Sequence, residues 1–360
     1  MAKNARFAIL GAGNGGLSMA GDLVLHGFEV SGLYDRFQEA VAPVQQRGGI
    51  EMVGGWREGF APIANATTDM AKAVAGAKIV VVVVPTFAHE WIATQLAPLL
   101  EDGQIVLLTP GYPFGTLLFR RTLQANGLKA TVDLAETNLI LYATRIVGPA
   151  TVGIKQIKNI LYFSALPATR APDLLDVLRS AIPQLEPLAN VLEVGFNCTN
   201  PLSHAPAVLL NVSRMEQDTG TQHFDFHQWI TPGVARVKAA MDAERGAVVR
   251  AMGLHFIPAA EMSRRMYEGT ELKLVPMVGP VLEGSKSVPP RYITEDVPMA
   301  MVAWSSMGQK LGVPTPSVDA MIHLANVMKE TDFRAVGRTV EFAGLASKSM
   351  DEILNMVNRG

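Results

Sequence analysis

Two polar segments in the second half of this sequence carry the side chains best suited to moving a proton. The first is Asn197-Cys198-Thr199-Asn200-Pro201-Leu202-Ser203-His204-Ala205-Pro206, which opens a long apolar helical stretch. His204 sits there among small and apolar neighbours, where a neutral imidazole can act as general acid and base near neutral pH. The alternative is a core histidine satisfied by one hydrogen bond. The second segment is Pro289-Pro290-Arg291-Tyr292-Ile293-Thr294-Glu295-Asp296-Val297-Pro298. Asp296 could orient a histidine, and Arg291 could hold a substrate carboxylate bidentately. The alternative is a helix cap from Thr294 or Glu295 and a surface ion pair.

A third constellation speaks of a cofactor. Gly11-Ala12-Gly13-Asn14-Gly15-Gly16 follows the apolar run Phe7-Ala8-Ile9-Leu10 directly. A helical pattern comes next, with Leu17, Ala20, Leu23 and Val24 on one side. Each glycine has a reason: Gly11 for a tight turn, Gly13 for close approach to a pyrophosphate, Gly16 for helix–strand packing. The amides of the turn, Asn14 and Gly15 included, would stabilise phosphate charge at the helix N-terminus. Asp35 ends the next strand and would accept from the adenosine ribose hydroxyls while repelling a 2′-phosphate, which favours NAD. Arg36 beside it could pair with the extra phosphate of NADP, so NADP stays possible. FAD shares the turn but needs further segments that the sequence lacks.

The elements that must position these groups alternate in the first half. Glu29 to Tyr34, Lys78 to Val84 (closed by Pro85), Ile105 to Leu108 and Thr131 to Leu134 read as strands, with helices near Phe37 to Gln46 and His89 to Leu100. Ile157 to Phe163 would extend the sheet. Continuous apolar strands between helices imply a parallel sheet covered on both faces. The nicotinamide would then lie at the strands' carboxyl ends, lined by Val84 to His89 with Pro85, by Thr109 to Tyr112, and by Ala135 to Asn138. Strand-end turn chemistry explains most of these residues, but less well Glu136, a charge in an apolar segment.

The second half reads as helices at Pro201 to Arg214, Gly233 to Met252, Ala259 to Tyr267, Val297 to Leu311 and Thr315 to Met328. The fold class is α/β: an N-terminal Rossmann domain over 1–185 and an all-helical domain over 186–360.

Composition closes off several functions. The 360 residues carry a formal net charge of -2, which offers no field for nucleic acid. A lone cysteine, Cys198, needs no oxidising compartment. No apolar span approaches the roughly 20 residues that cross a bilayer, so a cytoplasmic enzyme is expected. His223 and His227 flank Asp225 at a spacing that could ligate a metal, but no third histidine or cysteine is near, and no metal is expected. An apolar helical domain could bury a face in a homodimer.

Taken together, these segments resemble the octopine/nopaline (opine) dehydrogenase family. The resemblance runs over nearly the whole chain. It includes the glycine string, Glu136-Thr137, Asn200 to His204, Arg291-Tyr292 with Glu295-Asp296, and Thr331-Asp332-Phe333-Arg334 followed by Gly337-Arg338-Thr339. It implies reductive condensation of an α-keto acid, commonly pyruvate, with an amino acid through an imine reduced by NAD(P)H. It implies His204 as catalytic histidine, Asp296 as its partner and Arg291 as carboxylate clamp. Asn200 falls in the matching segment as a substrate contact, and Glu136 near the amino acid side chain. Two-domain reductases of the ketopantoate or hydroxyacid type compete, but they often use a lysine where this chain has none between Lys158 and Lys238. A protein that holds NAD without chemistry competes less well.

Overall fold

The computed structural model describes residues 5–216, 229–273 and 291–360. Twelve strands are found among them: β1 Arg6–Leu10, β2 Glu29–Tyr34, β3 Gly49–Val53, β4 Gly59–Pro62, β5 Ala66–Thr67, β6 Ile79–Val82, β7 Ile105–Leu108, β8 Asp133–Thr137, β9 Tyr142–Gly148, β10 Thr151–Ile157, β11 Leu161–Leu166 and β12 Leu185–Pro187. Eight of them form one sheet in the order β12-β11-β8-β7-β6-β1-β2-β5. All its pairs are parallel except β11 with β8. β6 (Ile-Val-Val-Val) and β7 (Ile-Val-Leu-Leu) are wholly buried, as strands covered on both faces must be. Alternate residues feed two cores. Leu10, Val82 and Leu108 face one, which continues into the helical half; Ile9, Val81 and Leu107 face the other.

The register decides where a site can form. Leu10 pairs with Val82, Val82 with Leu108, and Leu108 with Glu136, so these four strands end level. β1 has β2 on one side and β6 on the other, so the chain order reverses there, and a ligand crevice opens at such a switch point. Six helices belong to this half: α1 Asn14–Leu25, α2 Gln38–Arg47, α3 Met70–Val74, α4 His89–Leu96, α5 Gly115–Ala125 and α6 Ala171–Leu178.

A second sheet, β4-β3-β10-β9, departs from the sequence reading. It lies over α1, where a Cβ on Gly21 would meet Met52 Sδ at 2.3 Å. Asp22 of α1 accepts from Trp56 Nε1, Arg57 Nε and Tyr142 Oη at 3.0, 2.7 and 2.8 Å, which ties the hairpin down. The run expected as one strand from Ile157 to Phe163 is divided between the two sheets. Asn159 breaks it by hydrogen bonding to the chain at Met266 and Glu268. The strand expected at Thr131 to Leu134 starts later and reaches Thr137.

Beyond Pro187 the described residues hold helices and no strand: α7 Val191–Phe196, α8 Asn200–Leu209, α9 Val212–Glu216, α10 Pro232–Ala251, α11 Ala259–Tyr267, α12 Arg291–Thr294, α13 Val302–Leu311, α14 Pro316–Lys329, α15 Phe333–Val336 and α16 Met350–Arg359. The helix expected from 201 to 214 is broken at Leu210–Asn211. The helix expected from Val297 begins instead as a π-helical turn, Val297–Met301, closed by Val302 N on Val297 O. Pro298, which has no N–H to give, sits in that turn. α16 returns to the first half, where Gly360 lies against Pro167, and Asn190 Nδ2, at the start of α7, donates to Asn358 Oδ1 at 3.0 Å.

Candidate active site

The glycine turn has the shape a dinucleotide needs. Gly11 adopts a φ of +115°, and a Cβ there would lie 2.3 Å from Val83 O. A Cβ on Gly16 would lie 1.7 Å from Gly11 O, whereas one on Gly13 would meet nothing within 4 Å. The turn is thus closed beneath Gly11 and Gly16 and open at Gly13. α1 starts without a side-chain cap and without an acidic residue in its first turn, which leaves its amides for an anion. Asn14 ties the turn to β9 by accepting from Ile146 N at 2.7 Å, and Gly15 packs on Val83. Asp35 accepts from Ala12 N at 2.8 Å and from Phe37 N at 3.1 Å, so its carboxylate stands at the edge of the turn. Arg36 is exposed, with its guanidinium 4.9 Å from the ring centres of both Phe37 and Trp91. Pro85, half-buried, starts a 3₁₀ turn at the end of β6. These residues fit a nicotinamide dinucleotide.

In the helical half, the two polar segments meet. His204 Nδ1 lies 2.8 Å from Asp296 Oδ2; Asp296 is 3 % exposed at its side chain and His204 18 %. The Tyr292 ring stacks on the imidazole at 3.9 Å and 14°. The Tyr112 hydroxyl donates to the other oxygen of Asp296 at 2.8 Å. Local backbone explains the placement. α8 carries Asn200 and His204 one turn apart, so both lie on one face. Asp296 sits where α12 passes into the π turn. The Pro298 carbonyl there accepts from Arg338 N at 2.9 Å. Arg245, fully buried, holds the chain entering α8 by donating to Phe196 O at 2.9 Å and to Asn197 Oδ1 at 3.2 Å.

A buried polar layer beneath the dyad joins the two halves. Glu295 accepts from Thr86 N at 2.8 Å and Thr86 Oγ1 at 3.1 Å, and burial raises its carboxyl above the ordinary range. Arg338 donates to Gly111 O at 2.9 Å, Pro113 O at 3.2 Å and Thr86 O at 3.0 Å. Burial pulls its guanidinium down to about 10, so it stays cationic at neutral pH. His89, facing that cation at 3.3 Å and wholly buried, is held well below the usual imidazole range.

The structure brings His204, Asp296 and Tyr292 into contact. Arg291 is exposed at the start of α12, its guanidinium 5.8 Å from the Tyr292 ring centre. Asn200 is half-buried. Glu136, which the resemblance puts near the amino acid side chain, lies inside the protein. It is 1 % exposed and accepts from Thr116 N at 3.0 Å and from Thr116 Oγ1. Gly111 presses on it so closely that a Cβ there would lie 2.3 Å from Oε2. Burial pushes its carboxyl up to about 8, which favours the protonated form at pH 7. Sequence reasoning gives no role to Tyr112 within its loop, nor to Arg245 and Arg338, which stand among other charged and polar residues in the sequence. His223, Asp225 and His227 lie outside the described residues. Among those described, no group of three His, Cys, Asp or Glu residues could hold a metal ion. No helix among them is long and apolar enough to cross a membrane.

Comparison with known proteins adds the family. Residues 187–329 match the family of the NAD/NADP octopine/nopaline dehydrogenase alpha-helical domain, and residues 6–135 match the NAD-dependent glycerol-3-phosphate dehydrogenase N-terminus. An opine dehydrogenase of Arthrobacter sp. (strain 1C) is 33 % identical over 351 residues, which span 96 % of this chain and 97 % of that one. Protein ocs of Agrobacterium tumefaciens (strain Ach5) is 25 % identical, over 98 % of this chain and 99 % of its own. An octopine dehydrogenase solved with NADH and agmatine superposes with a TM-score of 0.76 at 19 % identity, over 99 % of each chain. A ketopantoate reductase from Ralstonia eutropha JMP134 shares the fold at a TM-score of 0.60 and 19 % identity, over 90 % of this chain and 98 % of its own. By its full-length similarity to the Arthrobacter enzyme and by its helical half, this chain belongs to the opine dehydrogenase family.

Proposed function

We propose that the chain condenses an α-keto acid, pyruvate foremost, with the amino group of an L-amino acid, and reduces the imine to an N-(carboxyalkyl)amino acid. The observation that carries this reading is the His204–Asp296 contact, built from two distant segments and tied to the strand-end loops of the cofactor half through Tyr112 and, next to it, Glu295 with Thr86. Bound NADH or NADPH supplies the hydride that reduces the imine carbon. Asp296 accepts from the imidazole at Nδ1 and so orients the ring that exchanges protons with substrate. His204 relays to the keto oxygen the two protons that the amine nitrogen gives up, one as it attacks the keto carbon and one as the C–O bond breaks, so that the oxygen leaves as water; a further proton from solvent reaches the imine nitrogen as the hydride reaches its carbon. Asp296 stabilises the imidazolium between those steps. Arg291 pairs with a substrate carboxylate and so turns the prochiral carbon toward the nicotinamide crevice. Asn200, one helical turn before His204, hydrogen bonds the same substrate. Asp35 favours NAD, and the Arg36 guanidinium gives NADP a partner for its extra phosphate. Such a reaction belongs in the cytoplasm, where both substrates and reduced cofactor occur together.

The test follows NADH and NADPH oxidation with pyruvate and other α-keto acids against a panel of amino acids. Oxidation that requires both an amine and a keto acid supports the proposal. Turnover with a keto acid alone refutes it and assigns a hydroxyacid or ketopantoate type of reduction.

A further inference from the structure

The loop after β7 is strained and heavily braced for a stretch that makes no regular structure. Tyr112 and Phe114 both stand in the left-handed region, at φ of +63° and +61°, although neither is glycine. Such backbone persists only where its surroundings over-determine it, and it clusters at functional sites. The bracing is specific. Arg338 grips the loop on either side of Tyr112, at Gly111 O and Pro113 O. From α7, Gly195 packs so close that a Cβ would lie 2.7 Å from Tyr112 O. The outcome is that a phenol of the cofactor half reaches Asp296 in the helical half.

We propose that Tyr112 is a positioning residue for the catalytic dyad, whose hydroxyl pins Asp296 Oδ1 so that Oδ2 stays aligned on His204 Nδ1. A carboxylate with one donor can pivot about its Cβ–Cγ bond. A second donor on the other oxygen fixes its plane, and with it the imidazole that the carboxylate orients. Asp296 is 2 % exposed, so no bulk water would replace the phenol if it were removed. Burial raises the Tyr112 phenol well above its ordinary range, which keeps it a donor through neutral pH. The loop that bears it begins at the carboxyl end of β7, level with the glycine turn. The dyad and the floor of the cofactor crevice are therefore set in one frame by this bond.

The inference rests on the proposed role of His204 and Asp296, so the His204→Ala variant is measured alongside. Tyr112→Phe keeps the ring and removes the donor. The expected result with NADH, pyruvate and the best amino acid is a kcat about tenfold to a hundredfold lower, the scale of a lost hydrogen bond to a charged group. NADH affinity and the KM values stay within about twofold, because the Tyr112 side chain is buried and its hydroxyl is given to Asp296 rather than to a ligand. In an Asp296→Asn background the same change has little further effect, because the carboxylate that the phenol aligns on His204 has gone. kcat is taken per NADH-binding site, so a partly unfolded preparation does not mimic the loss. An unchanged kcat, an equal loss in the Asp296→Asn background, or a Tyr112→Phe protein that binds no NADH overturns the proposal. If His204→Ala retains full turnover, the dyad reading itself fails instead.

Discussion

Glu136→Gln separates a substrate contact from a buried structural acid. The side chain is 1 % exposed, Thr116 supplies its donors, and its Oε1 has no hydrogen-bond partner among the described residues. Desolvation is the largest cause that lifts its carboxyl from 4.5 to about 8, against the opposing pull of Thr116 and Arg338. Between those pH values the folded chain holds a proton that the unfolded chain has released. Stability therefore falls as pH rises through that window and levels off above about 8. At about 1.4 kcal/mol per pH unit, the cost is below about 1 kcal/mol at pH 5 and about 3 kcal/mol at pH 7. Glutamine keeps the shape and never ionises, so it removes this cost. Its amide nitrogen, buried where Oε1 has no partner, costs about 1–3 kcal/mol at every pH. The absolute difference between the two proteins thus depends on that offset, but its change with pH does not. Urea unfolding at pH 5, 6, 7 and 8.5 should show the variant gaining about 2–3 kcal/mol on the parent between pH 5 and pH 7, then no more above about 8. The ratio of kcat/KM for arginine to that for leucine should stay as in the parent. A stability difference that is flat with pH would refute the buried-acid argument. A selective loss of turnover with arginine would return Glu136 to the substrate.

Three further expectations follow from the same geometry. His204→Ala should lower kcat by about 10²–10⁴-fold while NADH affinity, read by fluorescence titration, is kept; lost NADH binding would contradict the assigned role. Lys158 is buried, donates to Ile140 O at 2.8 Å, and is pulled down to about 7 by desolvation. The unfolded chain binds the extra proton between about 7 and 10.5, so this burial destabilises most at and below neutral pH and less as pH rises. Lys158→Met should therefore be more stable than the parent at pH 6, with the advantage shrinking toward pH 10 in the same unfolding assay. Arg36→Ala should raise KM for NADPH much more than for NADH, because the exposed guanidinium has only the Phe37 and Trp91 rings to lose; equal effects on the two cofactors would remove it from phosphate recognition.

The legible parts of this protein were those set by local rules. Gly11 and Gly16 stand where any side chain would collide with Val83 or with Gly11 itself, so the cofactor turn was written in residue type and spacing. The buried strands β6 and β7 were legible because a strand covered on both faces has no polar position to confuse the pattern. The edges read less well. β3 and β4 are short and joined through Gly54-Gly55, β4 is largely open to solvent, and they gain their order by packing on α1 rather than from their own periodicity. The split of the 157–163 run and the π turn at Val297 also depend on partners far away in sequence.

For the site, the sequence by itself determined which groups were available: an imidazole, a carboxylate, a guanidinium and a phosphate-binding turn, each with a plausible alternative use. Only the tertiary structure decided which of them work together. It brought His204 and Asp296 to 2.8 Å, turned Glu136 inward onto Thr116, and carried Tyr112 from the other half of the chain to the second oxygen of Asp296. The reason is that a side chain's role depends on burial and on partners across the domain boundary, and neither leaves a period or a spacing along the chain.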